Sequence, residues 1–128
     1  EQDFMPATVS SDVHRYNVRG PVYDLATTLS KFLHLGLSLD EVVRLATSAP
    51  ANAVGRGDQF GTLKEGAEAD VSVLRIEEGS FKFTDAPGDV RIGERLLVPV
   101  VTLRAGRRHA PMYGVHPDLL DHHNLPSA

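Results

Sequence analysis

With 128 residues, 41% hydrophobic and 23% charged, the chain has the composition of a soluble globular domain or a piece of a larger one, which excludes wholesale disorder. A formal net charge of −4 argues against nucleic-acid binding, which needs a positive surface to release counterions, and the absence of cysteine excludes disulfides and thiolate metal sites. No apolar run approaches the roughly 20 residues of a membrane helix, so no membrane span is expected, and the lack of cysteine fits a reducing cytoplasm.

The opening Glu1-Gln2-Asp3-Phe4 has neither an initiator Met nor a basic stretch followed by an apolar one, so it reads as no signal peptide and as no natural start. Ala7-Thr8-Val9-Ser10 is a short β-prone run after Pro6, ended by Ser11-Asp12 and an irregular stretch containing Gly20-Pro21. From Asp24 a helical period begins. Leu25, Leu29, Phe32 and Leu33 share one face, and Gly36 is placed to end the helix in a left-handed cap. Ser38-Leu39-Asp40-Glu41 is a capping box for a second helix, with Leu37 and Val42 at the positions of a hydrophobic staple. Val42, Val43, Ala46 and Ala49 continue its apolar face, and Ser48-Ala49-Pro50 resembles a further helix start that Gly55 stops.

Beyond Gly55, glycines punctuate short runs rich in Val, Ile, Leu and Phe. Residues 69–76 read as a strand with Glu77-Glu78-Gly79 as its turn, and Ser80-Phe81-Lys82-Phe83-Thr84 alternates with both phenylalanines on one face. Asp85-Ala86-Pro87-Gly88 is a turn, and Arg95 to Arg104 supplies one or two strands around Pro99, which marks an edge, bulge or break. Arg104, Arg107 and Arg108 beside His109 read as the solvated end of a strand. The part from Pro111 onward reads as an extended or helical appendage. A single strand followed by helices has no partner within this chain, so its partner strands are expected upstream.

Three segments together carry a family resemblance. Ser10-Ser11-Asp12-Val13-His14, followed by Gly20-Pro21-Val22-Tyr23-Asp24-Leu25, resembles the end of the eighth barrel strand in amidohydrolase and deacetylase-type metallohydrolases. Thr47 to Gly55 resembles their T-x-x-P-A-x-x-x-G helix, and Gly61 to Val71 their G-x-L-x-x-G-x-x-A-D-hydrophobic motif. The match spans about residues 6 to 108 and is dihydroorotase-like in character. It implies an α/β architecture: the last β/α unit of a (β/α)8 TIM-like barrel, followed by part of a small β-sandwich. The implied division is 1–56 for the barrel end, 57–110 for the sandwich portion and 111–128 for a C-terminal tail.

The resemblance also implies a hydrolase acting through metal-activated water on an amide, cyclic amide or ester of a small molecule. Asp12, just past the expected strand, would be a ligand of a divalent metal, expected to be zinc, and would carry the proton between water and leaving group. His14, Gly20 and Pro21 would face the substrate. The residues alone allow blander roles: a turn or helix cap for Asp12, a solvated loop histidine for His14 and a rigid turn for Gly20-Pro21. Asp70 is expected to serve turn hydrogen bonding and not catalysis.

The family's other metal ligands precede the aspartate, whereas only eleven residues precede Asp12 here and none is a histidine. A catalytic zinc takes about three protein ligands, so the chain alone is expected to hold no metal and to be inactive without upstream barrel polypeptide. Exposed apolar helix faces, and with them association into homo-oligomers, are expected of such a piece. Two other readings make different predictions. A non-catalytic α+β interaction module would be monomeric and indifferent to metal. A small metal-binding protein would use His116, Asp118, Asp121, His122 and His123 of the tail.

Overall fold

The computed structural model describes residues 5–111 and 114–121. Three helices come first. Helix α1 spans Leu25–His34, and its N-cap Asp24 accepts from the Thr27 amide at 2.6 Å. Leu29 and Leu33 are buried on its inner face, and Gly36 (φ 98°) turns the chain after it. Helix α2 spans Leu39–Ala46 behind the expected capping box: the Ser38 hydroxyl receives the Glu41 amide, and the Glu41 carboxylate receives the Ser38 amide at 2.9 Å. Its buried face is Val42 and Leu45, both fully inaccessible, while Val43 stays 42% exposed. Helix α3 spans Ser48–Ala53.

A three-stranded antiparallel sheet follows in the order β1-β2-β3, with β1 at Val71–Thr84, β2 at Val90–Arg104 and β3 at Arg107–His109. The expected turn at Glu77-Glu78-Gly79 is not a turn. Strand β1 runs through it, and the register shifts between Glu78 and Phe81 so that Gly79 and Ser80 together face Glu94. A bulge and a turn recruit the same residue types, and here the long partner strand decides for the bulge. Pro99 lies beside the second register shift, between Val73 and Leu74, as a residue without an amide donor should. The region from Arg95 to Arg104 is one strand with Val90–Glu94, because Gly93 lets the Phe83 ring lie over it; a Cβ there would come within 2.5 Å of that ring.

Residues 7–10 differ from expectation as well. They form no strand among the described residues. The segment is tied instead by the Val9 amide to the Leu45 carbonyl (2.9 Å), with Val9 buried against α2, because no strand edge is available beside it.

Strand β2 carries two cores. Leu97 points to the side of Val9, Leu29, Leu33, Val42 and Leu45, whereas Leu96 and Val98 join Phe81, Phe83 and Leu119 on the other. Both faces are covered, which explains the unbroken apolar run Leu96-Leu97-Val98. Leu119 belongs to a 3-10 turn, Pro117–Leu119, so the described part of the tail is docked on the sheet, and Leu120 makes a bridge to Phe81. Among the described residues no helix is long and apolar enough to cross a membrane.

Candidate functional site

Residues 11–23 form the loop that joins the extended segment to α1. The backbone enters it through Asp12 in the left-handed region (φ 49°), which aspartate tolerates better than most side chains. Asn17 then organises the turn. Its amide nitrogen donates to the Asp12 carbonyl at 2.9 Å, and its side-chain oxygen accepts from the His14 amide at 2.8 Å. The Asn17 and Val18 amides both reach the His14 carbonyl, closing a single helical turn (3.1 and 3.0 Å).

The Asp12 carboxylate is exposed and has no hydrogen bond or ion pair among the described residues. It caps no turn or helix among the described residues. Asp24 caps α1, Asp85 caps the turn before β2 through the Gly88 and Asp89 amides, and Asp70 accepts from the Ala105 amide at 2.7 Å, the turn-bonding role expected of it. The other candidates sit on the same loop. His14 is exposed, and its Nδ1 accepts from the Tyr16 amide at 3.2 Å, leaving the proton of the neutral ring on Nε2. Gly20 (φ 125°) and Pro21 are joined by a cis peptide bond, and a side chain at Gly20 would meet the Tyr23 hydroxyl at 2.9 Å. No hydrogen bond joins the Asp12 carboxylate to His14 or to the Gly20-Pro21 turn among the described residues.

Three supporting residues escaped the sequence reading. Asn17 is one. Tyr23 is another: its ring stacks on His116 with centroids 4.1 Å apart, and its hydroxyl donates to Asp118 at 3.3 Å. Burial, then the neighbouring Asp118 charge, pushes the Tyr23 phenol above its ordinary pKa. Lys31 is the third. Its ammonium donates to the carbonyls of Pro21 (3.0 Å) and Thr84 (2.6 Å). Burial lowers its pKa, and nearby Asp85 works the other way. The available signal was a lysine beside the apolar stripe of α1, which reads as ordinary solvation until the loop is seen.

Among the described residues, no three His, Cys, Asp or Glu side chains come together to hold a metal ion. Asp12 offers one donor, so these residues do not by themselves fit a catalytic zinc. In the tail, His116 accepts from the Asp118 amide at 3.3 Å and Asp121 accepts from the Ser80 hydroxyl at 2.8 Å. These side chains serve docking; His122 and His123 lie outside the described residues.

The model of the amidohydrolase family matches residues 8–93, a span that contains the loop and runs through α1, α2, α3 and β1. The chain belongs to the amidohydrolase family. Within this family it is similar to a deacetylase of Agrobacterium fabrum, 36% identical over 95 residues, covering 74% of this chain and 23% of that protein. A deacetylase of Enterococcus faecalis is 34% identical over 102 residues, covering 79% of the chain and 27% of the relative. The chain thus spans about a quarter of the length of these amidohydrolase relatives. Among solved structures, an adenine deaminase superposes with a TM-score of 0.76 at 33% identity (82% of this chain, 28% of that one). A dihydroorotase superposes at 0.75, also with 33% identity (84% and 28%).

Proposed function

We propose that this chain is the C-terminal part of a metal-dependent amidohydrolase that hydrolyses an amide, cyclic amide or ester of a small molecule, with Asp12 as metal ligand and proton carrier. The observation that carries this reading is the Asp12 carboxylate: exposed, without a hydrogen-bond partner among the described residues, and set on a left-handed turn inside the family match. The similarity to deacetylases, an adenine deaminase and a dihydroorotase supports hydrolysis of a bond at carbon.

In this reading residues 1–56 close a (β/α)8 barrel, 57–110 belong to a small β-sandwich and 111–128 form the tail. The extended segment 7–10 becomes the eighth barrel strand once upstream strands flank it. A further support is the groove of about 550 Å³ between α1, α2 and the sheet, lined by Leu29, Val43, Ala46, Leu63, Leu74 and Pro99. Its apolar lining, open here, suits upstream polypeptide of the same protein, since the relatives are about four times as long as the matched piece. The absence of cysteine is the support for a cytoplasmic location.

A bound divalent metal, expected to be zinc, would supply a water acidic enough to be deprotonated at neutral pH. Asp12 provides one donor and holds the transferred proton on its carboxylate. His14 Nε2–H is free to donate to a substrate oxygen, and Gly20-Pro21 shapes the wall beside it. The remaining donors come from upstream polypeptide, so the 128-residue chain alone is inactive.

The test is Asp12→Asn in the full-length protein, assayed on acetylated small molecules with metal content measured alongside. A fall in kcat of about a hundredfold or more is expected, against a change of less than about threefold for Asp70→Asn. Full activity of Asp12→Asn would refute the reading. Elemental analysis should find metal in the full-length protein and none tightly held by the 128-residue chain.

A further inference from the structure

Lys31 sits in the last turn of α1, half-buried, where a positive charge also faces the negative end of the helix dipole. Burying part of an ammonium is unfavourable unless its donors are used, and two of them are. They go to backbone carbonyls 10 and 53 residues away in sequence, Pro21 in the loop and Thr84 at the end of β1. A tie between helix and sheet would need only the Thr84 bond. The Pro21 bond does something else: it fixes the loop.

The loop's own bonds converge on Asn17, whose carbonyl accepts from the Gly20 and Val22 amides at 3.0 and 3.4 Å, and Pro21 has no amide to add to them. Gly20 sits at a φ of 125°, which glycine adopts and other residues rarely do, and the stretch 18–20 is mostly exposed. Tyr23 closes one side of the turn, its hydroxyl next to Gly20 and its ring stacked on His116 of the docked tail. Lys31 closes the other. The turn therefore rests between two supports beyond the loop's backbone bonds: the Tyr23 side chain reaching the docked tail, and the Lys31 ammonium reaching the end of β1.

We propose that Lys31 is a positioning residue for the substrate loop: by holding the Pro21 carbonyl against the end of β1, it presents the Gly20-Pro21 turn to the substrate in one preset conformation. This rests on the reading of the loop as substrate-facing. Lys31 touches no reacting atom. Its contribution is to spare the substrate the ordering of the loop, so its loss weakens binding and leaves the chemical step alone.

The experiment uses the full-length protein and Lys31→Met, which keeps the stem and removes the donors. Amide hydrogen exchange should accelerate about tenfold or more in residues 13–22 while α2 and β2 keep their protection, and KM should rise about fivefold with kcat within about twofold. Lys31→Arg, which restores charge and donors, should recover most of both. Unchanged exchange in residues 13–22, uniform acceleration over the whole chain, or a fall in kcat at constant KM each overturns the proposal. If the Met variant does not fold, Lys31→Gln, an uncharged and shorter side chain that keeps two N–H donors, is used instead, and a smaller change in the same direction is expected. Exchange needs no substrate, so it decides the role of Lys31 even if Asp12→Asn stays active and the proposed function fails.

Discussion

Ser30 is fully buried in α1, and its hydroxyl makes two bonds: it donates to the Ala26 carbonyl at 2.7 Å and accepts from the Leu97 amide at 2.8 Å. Strand β3 pairs only with Thr102–Arg104, so the same edge of β2 near Leu97 has no strand beside it among the described residues. Ser30 supplies the missing acceptor. Ser30→Ala is expected to strand the Leu97 amide in a dry core and to cost about 1–3 kcal/mol in denaturant unfolding, against a change within about 0.5 kcal/mol for Asp12→Asn. The two residues are opposites. Ser30 is buried and structurally committed; the Asp12 carboxylate is exposed and makes no hydrogen bond among the described residues.

At the scale of elements, the eight-residue α2 is too short to stand alone, and its capping box decides where it starts. Hydrogen bonds from the Ser38 hydroxyl, then from the Ser38 amide, hold the Glu41 carboxyl below its ordinary pKa. A depressed native pKa means that this contribution is fully present above the unfolded-state value and is lost as pH falls through the native one. The stability gap between the wild type and Glu41→Gln should therefore be largest near about pH 7 and shrink toward about pH 3, as read from urea midpoints.

This element was legible because everything that defines it lies within four residues of sequence, and the same holds for Gly36 after α1. The bulge at Gly79-Ser80 was not legible, because only the partner strand distinguishes it from a turn. Nor was the docking of the tail, where Leu119 meets Phe81 across a long stretch of chain. The candidate site divides the same way. Asp12, His14, Gly20 and Pro21 stand together in sequence on one loop, but beyond the bonds of Asn17 the contacts that tie that loop to the rest of the fold come from Lys31 and Asp118.

Seen whole, the molecule has two small cores sharing β2 and an open apolar groove between the helices and the sheet. Leu63 is 82% exposed and Val54 72%, and the outer edge of the 14-residue β1 pairs with no further strand among the described residues, only with Leu120 in a single bridge. Such surfaces seek partners. The isolated 128-residue chain is expected to elute above monomer size in gel filtration and to bind ANS. Val43→Glu, which places a charge in the groove, should reduce both.

The Ser30–Leu97 bond joins residues 67 positions apart. During synthesis at about 5–20 residues per second, roughly 3–13 s pass between the addition of the two. Throughout that interval the inner face of α1 is made but its platform is not, so the nascent helices stay sticky until β2 emerges. A chaperone that binds apolar helix faces would find its window there, and slow codons between the two positions would widen it.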